Sequence, residues 1–273
     1  MSTLKTILVH ADGTPQSAVR LRLGERLAAA HGATARALYA VTSSLTRFPM
    51  ALAAGADIGP TLVELDQQRR DAAHAQYAAA VDPRRVAWQE VTDLPVADMV
   101  RAAFYADLLL LGQRPPGPTG AADVPGDFVS SVILDSGRPA LVLPHVLLEP
   151  VLPRRVLVAW KATRESARAV TAALPLLQQA ESVQVVVFDE GEGIRDEQPI
   201  SGYLAAHGVS ATLKKEVALE HELGAQLLSL AADAQADLLV MGCYGHGRAR
   251  EWALGGVTRT VLASMTLPVL FSH

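Results

Sequence analysis

Short unbroken apolar runs alternate along this chain with longer stretches that are apolar on one face only. Leu4 to Val9 is the first such run and reads as a buried strand. Thr14 is suited to cap the helix that follows, and Pro15 suits its first position. Leu21, Leu23, Leu27 and Ala28 give that helix an apolar face, and Gly32 after His31 stops it. The same reading places strands at Thr34 to Val41, Val86 to Val91, Asp107 to Leu111 and Ala140 to Leu143. Helices fall between them at Thr61 to Val81, Val96 to Phe104 and Gly126 to Asp135. Further along, strands are predicted at Arg155 to Trp160, Val183 to Phe188, Ser210 to Val217, Leu238 to Met241 and Val269 to Phe271. The intervening helices are Glu165 to Gln179, Gln198 to His207, His221 to Ala234 and Gly256 to Ser264.

The alternation is written twice. Ala106-Asp-Leu-Leu-Leu-Leu-Gly112 matches Ala236-Asp-Leu-Leu-Val-Met-Gly242, 130 residues on. Ile7-Leu-Val9 matches Val156-Leu-Val158, 149 residues on. The difference, 149 − 130 = 19, is extra length inside the first copy, which the sequence places at Ser43 to Pro60. Glu149-Pro-Val-Leu-Pro153 reads as a linker. Two domains are therefore expected, 1–148 and 153–273. Continuous apolar strands between helices imply parallel sheets covered on both faces, and right-handed crossovers make each domain a doubly wound α/β fold. Ligands in such folds sit beyond the carboxyl ends of the strands, where the strand order switches.

Composition narrows the function classes. Half of the 273 residues are hydrophobic and the net charge is −4, so a basic face for nucleic acid or an anionic membrane is not expected. No apolar run approaches about 18 residues, so no transmembrane helix is expected, and Met1 to Val9 does not read as a signal peptide. The single cysteine, Cys243, excludes an internal disulfide and a cysteine-cluster metal site. A cytoplasmic location is the expectation.

The sharpest chemical feature is Gly242-x-x-Gly245-x(9)-Gly255, followed by Gly256, Val257 and Thr258. It begins where a buried strand ends and finishes where a helix begins. Gly242 and Gly245 allow a tight turn and close approach of the backbone to a ligand. Gly255 and Gly256 clear side chains from the first turn of the last helix, whose free N–H groups suit a phosphate. Thr258 adds a hydroxyl. The alternative is a glycine loop that only turns the chain.

This pattern resembles the universal stress protein family, present here as two tandem domains. The family's nucleotide motif has the same glycine spacing. Ile7 to Thr14 looks like its opening strand and Asp-Gly-Ser turn, and Pro139 and Pro268 stand at its proline before the last strand. The resemblance implies a flavodoxin-like to Rossmann-like domain, of the kind seen in adenine nucleotide alpha hydrolases, that often binds ATP or AMP. It implies that an opening Asp contacts the adenosine portion, while the glycine loop with Ser or Thr holds ribose and phosphates. It also implies pairing through last strands, here Ala140 to Leu143 with Val269 to Phe271, as an intramolecular pseudo-two-fold dimer, with a further homodimer expected.

Carried over residue by residue, the pattern splits. The first copy keeps Asp12, a second candidate site, but Pro115 stands near the second glycine and Asp127 takes the Ser/Thr place after Gly126. A proline offers no N–H and a carboxylate repels phosphate. The second copy keeps the loop, but Gly256 replaces the Ser/Thr and Lys161 stands where the first copy has Asp12. Lys161 either favours an anionic ligand or is a solvated lysine beside Glu165. Ala159 and Val187, at neighbouring strand ends, complete the candidate ligand-binding set. Trp160 reads as a stacking platform or as packing. Asp12 reads as a carboxylate of the site or as a turn cap. His246 and Arg248 read as phosphate contacts or as solvated loop residues. Cys243 with His246 is only half a metal site, so no metal is expected. Ser130 and Ser131 read as helix-face residues and Glu190 to Gly193 as a solvated loop. A regulatory protein binding an adenine nucleotide in its second half is the preferred reading. Its rivals are a nucleotide-free interaction scaffold and an ATPase, self-phosphorylating protein or nucleotidyl transferase, the last disfavoured by the missing base and Mg²⁺ carboxylates.

Overall fold

The structure is a computed structural model, described here for residues 4–47, 58–92, 94–116, 123–189, 197–219, 222–243 and 256–273. The chain forms two compact units. The first comprises Leu4–Ser136 with Leu147–Pro150, and the second comprises Gly137–Val146 with Val151–His273.

In the first unit the order is β1 (Thr6–Ala11), α1 (Pro15–His31), β2 (Thr34–Val41), α2 (Ser44–Arg47), α3 (Gly59–Ala80), β3 (Val86–Thr92), α4 (Pro95–Ala103), β4 (Leu108–Gly112) and α5 (Phe128–Ser136). The strands lie in the order β3-β2-β1-β4, all parallel. Their apolar side chains are buried on both faces, as Ile7, Leu8, Val9 and Leu108 to Leu111 show. Gly32 ends α1 in the left-handed conformation, as the sequence predicts. The extra length of this copy does not lie only at Ser43 to Pro60. Helix α3 has 22 residues, against 10 in its later counterpart, so much of the insertion extends a regular helix.

The second unit contains β5 (Ala140–Leu143), β6 (Arg155–Trp160), α6 (Arg164–Leu177), β7 (Ser182–Asp189), α7 (Glu197–Ala206), β8 (Ala211–Val217), α8 (Leu223–Asp233), β9 (Leu238–Gly242), α9 (Gly256–Ser264) and β10 (Val269–Ser272). Its strands run β5-β10-β9-β6-β7-β8. All neighbours are parallel except β5 and β10, which are antiparallel with Val142 opposite Val269. The expected pairing of Ala140 to Leu143 with Val269 to Phe271 is thus present, and a strand encoded in the first copy completes the sheet of the second. No helix among the described residues is long and apolar enough to cross a membrane.

In each sequence copy the first strand, β1 or β6, lies between a neighbour that follows it directly and one that comes much later. The crevice at the carboxyl ends of that pair is β1/β4 in the first unit and β6/β9 in the second.

Candidate functional site

The β1/β4 crevice is built around a buried ion pair. Asp12 follows β1 and Arg20 projects from the second turn of α1; they are 7% and 2% exposed. Arg20 Nη2 lies 2.7 Å from Asp12 Oδ2, an ionic contact rather than a directed hydrogen bond. Arg20 Nε donates to the His10 carbonyl at 2.9 Å. The guanidinium spreads over Gly112 at the end of β4, where a Cβ would lie 2.4 Å from Nη1. Asp12 Oδ1 accepts from the Thr14 N–H at 2.9 Å and from its hydroxyl at 2.5 Å. Thr14 is the residue before α1, as expected, but its side chain makes no helix cap. The neighbouring carboxylate claims the hydroxyl instead. Burial pushes the Asp12 pKa up, but the Arg20 charge, His10 and the two Thr14 bonds outweigh it and hold it below its usual value.

His10 is also buried. Its Nε2 lies 2.9 Å from the Ala40 carbonyl and so carries the proton that bonds there. Nδ1 then faces Asp12 Oδ2 at 3.7 Å, and the ring packs on Phe128. Burial lowers the His10 pKa, with the Arg20 charge adding to the effect, against the opposing pull of Asp12. The cavity left beside this cluster is lined by Thr14, Gln113, Arg114, Pro115 and Gly126. Its volume is about 30 Å³, room for about two waters. Ser130 and Ser131 bond back to Asp127 at the start of α5, as helix-end residues do.

The β6/β9 crevice is built differently. At the 149-residue offset the counterparts of His10, Asp12 and Arg20 are Ala159, Lys161 and Ala169. Ala169 is buried, Ala159 half-buried and Lys161 exposed. Val187, at the end of β7, is buried. Trp160 is half-buried, and its indole N–H is enclosed without a hydrogen-bond partner. Thr163 caps α6 by accepting from the Ser166 N–H at 3.3 Å. Gly242 lies against this first turn, where a Cβ would be 2.5 Å from the Ser166 nitrogen and 2.6 Å from the Glu165 carbonyl carbon. Its missing side chain therefore admits a helix end, whatever else it admits. Burial pushes the Glu165 pKa up, but the bond from Arg164, its own N–H and Thr163 bring it below the usual range. Burial pushes the Cys243 thiol up, so it stays protonated and is a poor metal ligand. Among the described residues no cluster of His, Cys, Asp and Glu suited to a metal occurs.

Of the predicted loop, Gly245, His246, Arg248 and Gly255 lie outside the described residues, as do Glu190 to Gly193. Gly256 opens α9 on the surface, and among the described residues nothing lies within 4 Å of where its Cβ would stand. Val257 is half-buried and Thr258 is 3% exposed. The structure thus gathers Ala159, Lys161, Val187 and Gly242 at adjacent strand ends. Sequence reading missed His10 and Arg20. The available signal was a charged residue on the apolar stripe of α1, where Arg20 shares a face with Leu23, Gly24 and Leu27.

The comparisons agree with this architecture. The model of the universal stress protein family matches residues 3–144 and again 153–273. A universal stress protein from Archaeoglobus fulgidus DSM 4304 is similar in structure, with a TM-score of 0.73 and 17% identity, covering 98% of this chain and 95% of its own. A functionally unknown protein from Pseudomonas aeruginosa PAO1 has a TM-score of 0.63 and 14% identity, covering 98% and 92%. No curated protein matches by sequence. Identities this low establish the shared fold, while the doubled family match covers nearly the whole chain. The chain belongs to the universal stress protein family, as two copies of its domain in tandem.

Proposed function

We propose that this protein is a stress-response regulator whose second unit binds an adenine nucleotide, ATP or AMP, or a related phosphate-bearing ligand. What carries the reading is the glycine spacing between the end of β9 and the start of α9. Gly242 closes the strand, and Gly256, without a side chain of its own, opens the helix, where free N–H groups suit a phosphate. The spacing through Gly245 and Gly255 joins the two as a phosphate loop. Thr258 and Lys161 supply a hydroxyl and a cation, and Ala159 and Val187 supply an apolar wall. No metal enters this binding.

Calorimetry on nucleotide-stripped protein tests the reading. Heat on adding ATP or AMP, abolished in Gly245→Val, is the expected result. No heat, together with no nucleotide released from the denatured native protein by mass spectrometry, refutes it. A second reading, an interaction scaffold free of nucleotide, draws on Lys161 standing where Asp12 stands in the first copy, since an ammonium accepts no hydrogen bond from a base or ribose. That reading expects silence in the same experiment. Phosphate release above a Gly245→Val background would point to turnover instead.

A further inference from the structure

We propose that the β1/β4 crevice of the first unit is a guanidinium site occupied by the chain's own Arg20, an internal ligand that closes this unit to external ones. The inference concerns the first unit alone and does not depend on nucleotide binding by the second.

Three surfaces receive the guanidinium. Asp12 Oδ2 supplies the charge at 2.7 Å. The His10 carbonyl takes the Nε proton at 2.9 Å. Gly112 supplies flat space, since any side chain there would collide with Nη1. Two of these surfaces are backbone features at the carboxyl ends of β1 and β4, the place where a doubly wound sheet receives its ligands. Arg20 fills it from below, out of a helix, and is itself 2% exposed. One carboxylate oxygen is already engaged, since Oδ1 accepts two bonds from Thr14, and the other faces the guanidinium. A nucleobase arriving from solvent would have to displace a buried cation from a buried anion, which leaves an uncompensated charge. The cavity that remains holds about two waters. A planar, permanently charged group lies flat over Gly112 while its Nε donates to the His10 carbonyl and its charge faces Asp12; a compact ammonium does not span these positions.

Removing the side chain should turn the internal ligand into an external one. In the full chain, Arg20→Ala is expected to lower the melting midpoint by about 6–12 °C. Millimolar methylguanidinium chloride should then raise the midpoint of Arg20→Ala, while methylammonium chloride should not, and neither should raise that of the unaltered protein. Equal effects of the two cations on Arg20→Ala would overturn the proposal, as would a rise in the unaltered protein. If Arg20→Ala does not fold, the unaltered chain carries the test. Nitrogen-15 arginine NMR should show one Nε–H, lost in Arg20→Lys, exchanging far more slowly than those of surface arginines. Exchange as fast as theirs would overturn the proposal. No nucleotide is present in either measurement, so failure here leaves the reading of the second unit untouched.

Discussion

The two crevices share a scaffold and differ in what was put inside it. Both lie between the first and fourth strands of a copy, which run parallel, and in both the following helix reaches a glycine at the end of the fourth strand. In the first unit Gly112 makes room for a side chain; in the second Gly242 makes room for a helix backbone. The first crevice keeps its cation inside, as Arg20 on Asp12. The second replaces that set with Ala159, Lys161 and Ala169, so its lysine is exposed. A duplicated strand core is thus kept while three positions in and after the first strand exchange a buried ion pair and its histidine for two alanines and an exposed lysine.

The largest expected effect breaks this contrast at its centre. Arg20→Ala leaves Asp12 buried without its partner and should cost about 3–5 kcal/mol in denaturant unfolding. Replacing both residues together by leucine should cost much less, because no lone charge remains. Equal costs for the single and double changes would mean that the pair is not a coupled unit. Next come the two glycines. Gly242→Ala drives a methyl into backbone atoms of Glu165 and Ser166, which cannot swing aside, and should cost about 1–3 kcal/mol. Gly112→Ala presses on the buried Arg20 guanidinium and should cost at least as much, but its cost should shrink when Arg20 and Asp12 are both leucine, whereas that of Gly242→Ala should not. Equal costs in both backgrounds would sink the distinction drawn between the two glycines.

Acid should separate the units as well. His10 has a folded pKa below its ordinary 6.5, so above that value it costs nothing. Below it the unfolded chain takes up a proton that the folded ring refuses, and stability falls. His31, its pKa also lowered by burial, acts in the same direction. Asp12, held below its ordinary 3.8, contributes stability that is present above that pH and lost as the pH drops through its folded value. His10→Gln should flatten the first step and leave the second, as followed by unfolding at stepped pH. An unchanged first step would remove His10 from the account. The smallest effect concerns ligand affinity. Gly256→Ser adds a hydroxyl donor at an exposed helix start, where no described residue stands within 4 Å, so stability should change by less than about 0.5 kcal/mol. Nucleotide affinity should rise by about 0.5–1.5 kcal/mol, read by calorimetry, if α9 faces phosphate. Unchanged affinity would place the ligand away from that helix end.

Much of the scaffold was legible because buried strands announce themselves. Thr34 to Val41, Ala140 to Leu143 and Arg155 to Trp160 coincide with the strands observed, since unbroken β-branched and aliphatic runs have few other uses. Helix α3, expected at Thr61 to Val81, is observed at Gly59–Ala80, but the extra length of the first copy is harder to assign to it. A long solvated helix carries a weak apolar stripe, and only Leu62, Ala73 and Tyr77 are buried along it. The polar heart of the first crevice was missed for a related reason. A periodicity argument assigns charged residues to water, and Arg20 is buried only because Asp12, eight positions away, waits for it. The role of Thr14 was half right. Its position before α1 was readable, but which acceptor its hydroxyl chooses depends on a carboxylate fixed by that same contact. Gly242 shows the converse, a residue whose likeness to a ligand motif and whose service to helix packing are written with the same letter.

Strand β5 has a consequence for proteolysis and for truncation. It is specified by the end of the first copy, yet its hydrogen bonds run to β10 at the end of the second. A cut in the proline-flanked segment after Leu148 would sever the peptide but not this ladder, so a nicked molecule should still travel as one body on a sizing column. Deleting either copy would leave the last strand of the other without this antiparallel partner.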